Sequence, residues 1–188
     1  MTTLLRVNNL HLHDKAVSFS LKAGESLCIG GENGAGKTTL LRMIAGFKDV
    51  PDSALSWHAS FCFVGHNDWQ SLVLTVEETL SFWAMYYGNS KQKAIEVFDL
   101  SSLLNKQIHQ LSQGQKQRLA LARLLCGSFT VWIVDEPFAH LDAIFTEKLE
   151  LLFKEHLEKG GAILFSDHKK EERSFIYTFE WLQGLTPS

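Results

Sequence analysis

Residues 31–38 read GENGAGKT, and this stretch matches the phosphate-binding pattern G-x-x-x-x-G-K-S/T at every fixed position. Phosphate oxygens need several backbone N–H donors that converge, and glycines permit the backbone conformations that such convergence requires. The stretch follows a short apolar run, ESLCIGG, and precedes apolar residues at helical spacing, TTLLRMIAG. A strand, a Gly-rich loop and a helix in that order predict a P-loop that binds a nucleotide.

Two side chains of this loop carry specific chemistry. We expect the Lys37 ammonium to reach the β- and γ-phosphates, and the Thr38 hydroxyl to bind Mg²⁺. A helix that begins near Lys37 adds the positive end of its dipole to the same site. The other residues of the loop that are predicted to bind the nucleotide are Gly31, Glu32, Asn33, Gly34, Ala35 and Gly36.

Strand patterns alternate with helix patterns along the 188-residue chain, a length that suits one domain. This alternation predicts an α/β fold with a mostly parallel sheet that is covered on both faces. The segment from about Asp68 to Gln110 is mostly helical and lies between two predicted strands, so we interpret it as a helical insert. The buried strands of the predicted sheet are ESLCIGG (25–31), FCFVG (61–65), TVWIV (130–134) and AILF (162–165).

Local signals place several ends of these elements. Thr75 stands three residues before Glu78, which predicts a capping box at the start of a helix. Gly46 closes the helix that follows the P-loop, and Gly160-Gly161 closes a helical pattern over residues 143–159. The stretch PDSALS, residues 51–56, is interpreted as a loop.

Two further strands end in polar side chains that suit phosphate chemistry. TVWIV runs into Asp135 and Glu136 at the carboxyl end of a buried strand, where ligands bind in open α/β sheets. Asp135 suits Mg²⁺, directly or through water, and Glu136 suits the orientation of a water that attacks the γ-phosphate. AILFSDH ends in His168, which we predict to sense the γ-phosphate.

Residues 111–115, LSQGQ, predict a second anion site. Ser112 can cap a helix, and Gln115 three residues later completes a Ser-x-x-Gln box. The free N–H groups at such a helix start, together with the helix dipole, favour an anion. The predicted binding residues are Ser112, Gln113, Gly114 and Gln115.

Composition restricts the class of partner and the location. The formal net charge is −3 and the basic residues are scattered, whereas a nucleic-acid-binding surface needs a basic stripe, so no nucleic-acid partner is expected. We find no signal-peptide pattern and no uninterrupted apolar span of membrane length, which predicts a soluble or peripheral protein. The three cysteines stand far apart and are interpreted as small core residues.

GENGAGKTT, LSQGQ, VWIVDEP, AHLD and FSDH occur in the order found in the ATP-binding subunits of ABC transporters, and the chain resembles that family over nearly its whole length. The resemblance implies an ABC ATPase fold: one domain over residues 1–188, with an N-terminal antiparallel β portion and a helical subdomain at roughly 68–127. It also implies a Walker A loop at Gly31–Thr39, which adds Thr39 to the ATP-binding residues. Asp135 would end the Walker B strand, Glu136 would be the catalytic base, His168 the switch histidine, and Leu141-Asp142 the dimer-contact loop.

The resemblance further implies ATP hydrolysis with Mg²⁺ in a head-to-tail dimer. In this family each ATP lies between the Walker A loop of one domain and the signature sequence of the other. LSQGQ would then serve the ATP of a second copy of this chain. The family's lid glutamine corresponds to Asn67, a candidate Mg²⁺ contact, or to Gln70 in another register. Upstream of the P-loop, where an adenine-stacking aromatic is expected, only His11 and His13 are found.

A closer resemblance is to the ATPase subunits of the cytochrome c maturation haem exporters. GGENGAGKTTLLRMIAG, Gly65-His66, LTVEETLSF, LSQGQKQRLALARLL and VWIVDEPFAHLD carry it. It implies a peripheral ATPase on the cytoplasmic face of the inner membrane, which powers polytopic membrane subunits in haem transport or in haem release onto a chaperone. The alternatives are another small exporter, a soluble ABC ATPase without a membrane partner, and a P-loop kinase, which would leave LSQGQ and His168 unexplained.

The aromatic-rich stretch SFWAMYYG, residues 81–88, has two interpretations. Its apolar side chains are either core residues of the helical insert or an exposed groove for a membrane subunit. The exposure of these side chains in the folded protein distinguishes the two.

Overall fold

The fold is taken from a computed structural model, which describes residues 2–12, 15–65, 73–168 and 178–181. The strands in these ranges are β1 (Thr3–Leu12), β2 (Lys15–Lys22), β3 (Ser26–Gly30), β4 (Leu55–Trp57), β5 (Phe61–Val64), β6 (Val131–Val134), β7 (Ala162–Asp167) and β8 (Thr178–Trp181). The helices are α1 (Lys37–Ile44), α2 (Val76–Tyr87), α3 (Gln92–Val97), α4 (Gln113–Ala122) and α5 (Ala143–Glu158).

The central sheet has the strand order β5-β6-β7-β3-β8, and every neighbouring pair in it is parallel. Along β6 the side chains alternate between two hydrophobic clusters: Val131 and Ile133 belong to one cluster, and Trp132 and Val134 to the other. Because successive strand residues point to opposite faces, both faces of this sheet are buried. The prediction of a doubly covered parallel sheet is confirmed.

A smaller antiparallel sheet, in the order β2-β1-β4, forms the N-terminal β portion that the family resemblance implied. The interpretation of residues 51–56 as a loop is wrong at its C-terminal end. Leu55 starts β4, which pairs Leu55 with Val7 and Trp57 with Leu5 of β1. A strand of three residues is too short to show a recognisable pattern in the sequence. Its pairing with β1 is what stabilises it as a strand.

Helices α2, α3 and α4 lie between β5 and β6 in the chain and form the helical part of the fold. Thr75 caps α2 through the predicted capping box with Glu78, and Ser112 caps α4 through a box with Gln115. Gly46 follows α1 with a φ of 79°, the left-handed conformation typical of a helix end. None of the described helices is long and apolar enough to cross a membrane.

All three cysteines are buried and none of them forms a disulfide, as the sequence indicated. Burial is the main cause that raises the pKa of the Cys62 thiol to about 12 and that of Cys126 to about 11. Because the thiolate is the reactive form, these two cysteines are packing residues and not nucleophiles.

His156 near the end of α5 stacks on Trp132 of β6, with ring centroids 3.7 Å apart and planes 7° from parallel. Burial lowers the pKa of His156 from 6.5 to about 4. Between these pH values the unfolded chain binds the proton and the folded chain does not, so stability falls as the pH falls through this window. The contribution of the neutral, buried His156 to the stability of the fold is fully present above pH 6.5.

We therefore expect the free energy of unfolding to fall by up to about 1.4 kcal/mol per pH unit from this residue alone as the pH drops towards 4. Urea unfolding of the protein and of the His156→Gln variant, at several pH values, measures it, because other titrating groups contribute equally to both. The variant should lose less stability on acidification. Equal losses in the two proteins would contradict a neutral, buried His156.

Candidate nucleotide-binding and catalytic site

The predicted P-loop leaves the carboxyl end of β3 and opens α1. Gly34 and Gly36 have φ values of 84° and 87°, in the left-handed region that favours glycine, and Gly36 is the residue that precedes α1. The buried Lys37 ammonium donates hydrogen bonds to the carbonyl oxygens of Gly31 at 2.7 Å and Glu32 at 3.0 Å. The loop thus curls around the lysine, and the charge stands at the N-terminus of α1, where the helix dipole also attracts phosphate.

Thr38 and Asp135 meet across the sheet, although they are 97 residues apart in the chain. The Thr38 hydroxyl donates to Asp135 Oδ2 at 2.7 Å, and Asp135 is buried at the carboxyl end of β6. A hydroxyl and a carboxylate side by side are the hard oxygen donors that Mg²⁺ prefers. The described residues therefore fit the predicted Mg²⁺ site.

Ser166, at the carboxyl end of β7, connects the two acidic residues of the predicted site, and this role was not evident from the sequence. Its buried hydroxyl donates to Asp135 Oδ1 at 2.6 Å and accepts a hydrogen bond from the backbone N–H of Glu136 at 2.9 Å. The Ser166 hydroxyl thus orients the Asp135 carboxylate and holds the backbone N–H of Glu136 in place. The only signal in the sequence was its place in FSDH, after the buried strand that neighbours β6.

The backbone of Glu136 is held in an uncommon conformation, with a φ of 50°. Besides the contact with Ser166, the Gln117 side chain of α4 donates to the carbonyl oxygens of Glu136 at 3.2 Å and Pro137 at 3.1 Å. Gln117 is buried, so these carbonyls are satisfied inside the protein. The contact ties α4, which begins within LSQGQ, to the backbone of the predicted catalytic base, and no sequence pattern indicated it.

We expect the Ser166→Ala variant to reduce the rate of ATP hydrolysis by roughly tenfold or more while ATP still binds. The substitution leaves the Glu136 N–H and one Asp135 oxygen without their buried partner, which costs on the order of 1–3 kcal/mol. Steady-state kinetics would show the effect mainly in kcat. Ser166→Thr keeps the hydroxyl and should recover part of the rate; no difference from wild type in Ser166→Ala would remove this positioning role.

The stretch LSQGQ, which is predicted to bind an anion, contains a capped helix start. Ser112 Oγ accepts from the Gln115 backbone N–H at 3.2 Å, and Gln115 Oε1 accepts from the Ser112 N–H at 3.0 Å. Gly114 lies against the segment after Glu136, because a Cβ there would come within 2.7 Å of the His140 carbonyl oxygen. Ser112 and Gln113 are exposed, so this face of the helix start is open to a ligand or a second chain.

Some of the remaining residues that the sequence singled out lie within the described part of the chain, and others lie outside it. His168 follows β7 and is exposed, with Nδ1 3.8 Å from Oδ1 of the buried Asp167. Asp142 caps α5 by accepting from the Phe145 N–H at 2.9 Å. His11 is exposed near the end of β1. Asn67 and Gln70, the two candidates for the lid amide, lie outside the described residues, as does His13.

The carboxyl ends of β3, β6 and β7 thus place the P-loop, Asp135 with Glu136, and Ser166 with His168 along one edge of the central sheet. Thr38, Asp135, Ser166 and Glu136 are joined by consecutive hydrogen bonds. This arrangement can hold a triphosphate, supply oxygen ligands for Mg²⁺, and present a carboxylate beside the terminal phosphate.

Comparison with known proteins agrees with this geometry. Residues 15–139 match the ABC transporter family. Among curated relatives, the cytochrome c biogenesis ATP-binding export protein CcmA of Cereibacter sphaeroides is 41% identical, over 81% of this chain and 73% of that protein. The protein of the same name from Paracoccus denitrificans is 38% identical, over 82% and 74%. Among solved structures, a putative ABC transporter ATP-binding protein from Pyrococcus furiosus has the same fold, with a TM-score of 0.77, 24% identity, and coverage of 95% of this chain and 96% of that one.

Proposed function

Because the chain belongs to the ABC transporter family, as one of its ATP-hydrolysing subunits, we propose that it powers the export step of cytochrome c biogenesis for which its curated relatives are named. The observation that supports the ATPase chemistry best is the run of hydrogen bonds from Thr38 through Asp135 and Ser166 to Glu136, which begins on the P-loop and ends at the proposed base. A solvated acidic turn would have no reason to be held to the P-loop by Thr38 and to β7 by two hydrogen bonds with Ser166, all of them buried or half-buried.

In the proposed mechanism the P-loop amides and Lys37 bind the β- and γ-phosphates. Thr38 and Asp135 would hold Mg²⁺, which supplies positive charge to the phosphate oxygens when it is bound. Glu136 orients the attacking water and accepts its proton, while Ser166 and Gln117 fix the backbone of Glu136. His168 contacts the γ-phosphate, and Asn67 or Gln70 acts as the lid amide.

We further propose that two copies of the chain form a head-to-tail dimer, in which Ser112, Gln113, Gly114 and Gln115 of one copy contact the ATP on the P-loop of the other. The capped start of α4 presents free N–H groups and the positive end of a helix dipole, and its first residues are exposed. A twofold dimer completes both sites with the same pair of surfaces.

The proposed location is the cytoplasmic face of the inner membrane, bound to polytopic membrane subunits, with haem as the molecule that is transported or released. A surface on α2 supports the membrane partner: Phe82 is 52% exposed, Met85 78% and Tyr86 72%. Three large apolar side chains on one exposed helix suit contact with another protein better than contact with water. Within SFWAMYYG only Trp83 is buried, so the stretch is partly core and largely surface.

This surface can be tested with a double variant, Met85→Ser with Tyr86→Ser. We expect less of the variant to co-purify from membranes with polytopic subunits, while its ATPase activity in solution stays at the wild-type level. Leu151→Ser, at an apolar residue of α5 that is 57% exposed, is the matched control and should co-purify as wild type does. Equal recovery of all three proteins would exclude α2 as the contact.

The export system itself is tested in a bacterium from which its own CcmA has been deleted. Production of the wild-type chain together with its membrane subunits should restore covalent haem in c-type cytochromes, and the Glu136→Gln variant should not. If the wild-type chain hydrolyses ATP but leaves the cytochromes without haem, another small exporter becomes the better assignment.

A further inference from the structure

A cavity of about 400 Å³ opens on the side of the molecule away from the P-loop. Its lining comes from residues just after α2, from α3, from the loop before β6 and from the Gly160-Gly161 turn before β7. Because these segments precede β6 and β7, the cavity lies at the amino edge of the parallel sheet, whereas the nucleotide site lies at the carboxyl edge. Its volume falls in the range of small-molecule sites, roughly 300–1,000 Å³.

Aromatic rings form one wall of this cavity. His156 stacks on Trp132, and Phe129 packs edge to face on Tyr87 with centroids 4.8 Å apart. Two glycines make room for these rings: an added Cβ at Gly161 would overlap the His156 ring, and one at Gly127 would overlap the Phe129 ring. Neither glycine has a positive φ, so the absence of a side chain, and not backbone freedom, is what each contributes.

The charged side chains that line the cavity, among the described residues, are two lysines. Lys93 of α3 and Lys159 after α5 both line it, with Asn89 and Ser128 as further polar groups, and no acidic residue is among the described lining residues. Lys159 lies 3.5 Å from Glu155, but both side chains are more than half exposed, so this pair is weak. The cavity therefore combines an apolar wall with a positive rim.

Trp132, one of the lining residues, also carries a polar group without a hydrogen-bond partner among the described residues. The indole N–H of Trp132 is buried and has no hydrogen-bond partner among the described residues. Such a group is costly unless it gains an acceptor. Burial lowers the pKa of His156 to about 4, so this ring is neutral at physiological pH. Its Nε2 lies 3.1 Å from the Thr130 carbonyl oxygen, and this contact keeps the ring in place without adding charge to the cavity.

We propose that this cavity is a second binding site, separate from the nucleotide site, for a small aromatic anion such as an aromatic carboxylate. The planar apolar body would contact Phe129, Trp132 and the neighbouring Leu124 and Leu125, and the carboxylate would lie between the two lysines. An aromatic body would pack on the apolar wall, and a negative charge would be attracted by the two lysines of the rim. A cation would be repelled by these lysines, and a purely polar ligand would gain nothing from the apolar wall.

The probe for this site is 2-naphthoate, compared with 2-naphthamide, which has the same ring system without the charge. Binding is measured by calorimetry and by the indole N–H signals of the five tryptophans in a ¹H–¹⁵N spectrum. The Trp132 signal is assigned by its loss in the Trp132→Phe variant. We expect 2-naphthoate to bind and to shift the Trp132 signal more than the other indole signals, and 2-naphthamide to bind at least about tenfold more weakly.

Two double variants distinguish the effect of the rim lysines on 2-naphthoate binding from the effect of a change in net charge. Lys93→Gln with Lys159→Gln should weaken 2-naphthoate binding by about tenfold or more. The matched control, Lys106→Gln with Lys154→Gln, removes the same charge from exposed lysines that do not line the cavity, and should bind as the wild type does. Saturating ATP should not displace 2-naphthoate.

Four results would overturn the proposal. They are no binding of 2-naphthoate to the wild-type protein up to its solubility limit, equal affinity in both lysine pairs, displacement by ATP, and binding that leaves the Trp132 signal unchanged. The last of these would place the probe elsewhere, for example on the exposed side chains of α2.

Discussion

Replacement of Glu136 by glutamine is expected to leave ATP binding intact and to slow hydrolysis by about 10²–10⁴-fold. The amide has the shape of the carboxylate but cannot accept the proton of the attacking water. The contacts that hold this residue involve its backbone N–H, which donates to Ser166, and its backbone carbonyl, which accepts from Gln117. The substitution therefore changes the chemistry of the side chain and leaves the local structure in place.

Two measurements check this result. Phosphate release under single-turnover conditions gives the rate, and light scattering with ATP gives the mass, which should shift from about 21.2 kDa towards twice that value as the unhydrolysed ATP traps a dimer. Glu147→Gln, at an exposed position of α5, is the control and should behave as wild type. Undiminished turnover in Glu136→Gln would remove Glu136 as the base.

Replacement of Lys37 by alanine is expected to weaken ATP binding by about 10–100-fold, the loss that corresponds to one strong charge-assisted contact. Lys37 is buried at the centre of the P-loop, where its ammonium also holds the carbonyls of Gly31 and Glu32. The variant loses both the positive charge that faces the phosphates and the contacts that shape the loop. Hydrolysis at saturating ATP should fall as well, because the same charge stabilises the transferring phosphate.

Titration with a fluorescent ATP analogue measures the affinity of this variant. Lys48→Ala removes an exposed lysine soon after α1 and controls for the change in net charge. Circular dichroism of both variants shows whether the fold is kept. An affinity of Lys37→Ala equal to that of wild type, in a folded protein, would contradict the assignment of the loop.

Short-range signals explain why much of the fold was predictable. The P-loop and the two capping boxes each depend on residues at most a few positions apart, so a short stretch of sequence is enough to predict them. The buried strands β3, β5, β6 and β7 are apolar runs because both sheet faces are covered. In the candidate site, the proximity of Thr38 and Asp135 follows from the same topology, since both stand at the carboxyl edge of the sheet.

Features that depend on distant contacts could not be predicted. β4 is a strand only because Leu55–Trp57 pairs with β1. Ser166 and Gln117 look like ordinary polar residues in the sequence, and their roles arise because β7 and α4 bring them to Asp135 and Glu136. Likewise, the stack of His156 on Trp132 joins two elements whose packing no local pattern encodes.

In the proposed dimer each ATP is bound by the P-loop of one copy and the start of α4 of the other. This arrangement is tested by two variants that should each hydrolyse ATP more slowly than wild type for a different reason: Lys37→Ala, which loses the P-loop charge, and Ser112→Asp. Aspartate still caps a helix, so α4 is kept, but its negative charge would face the partner's phosphates. In a monomer, Ser112→Asp should bind ATP as wild type does.

The decisive measurement is the ATPase rate of an equimolar mixture of these two variants. In a mixed dimer both defects fall on one site, and the other site combines an intact P-loop with an intact helix start. We predict that the mixture hydrolyses ATP well above the average of the separate variants, at up to roughly a quarter of the wild-type rate for random pairing. A mixture no more active than that average would contradict a site shared between two chains.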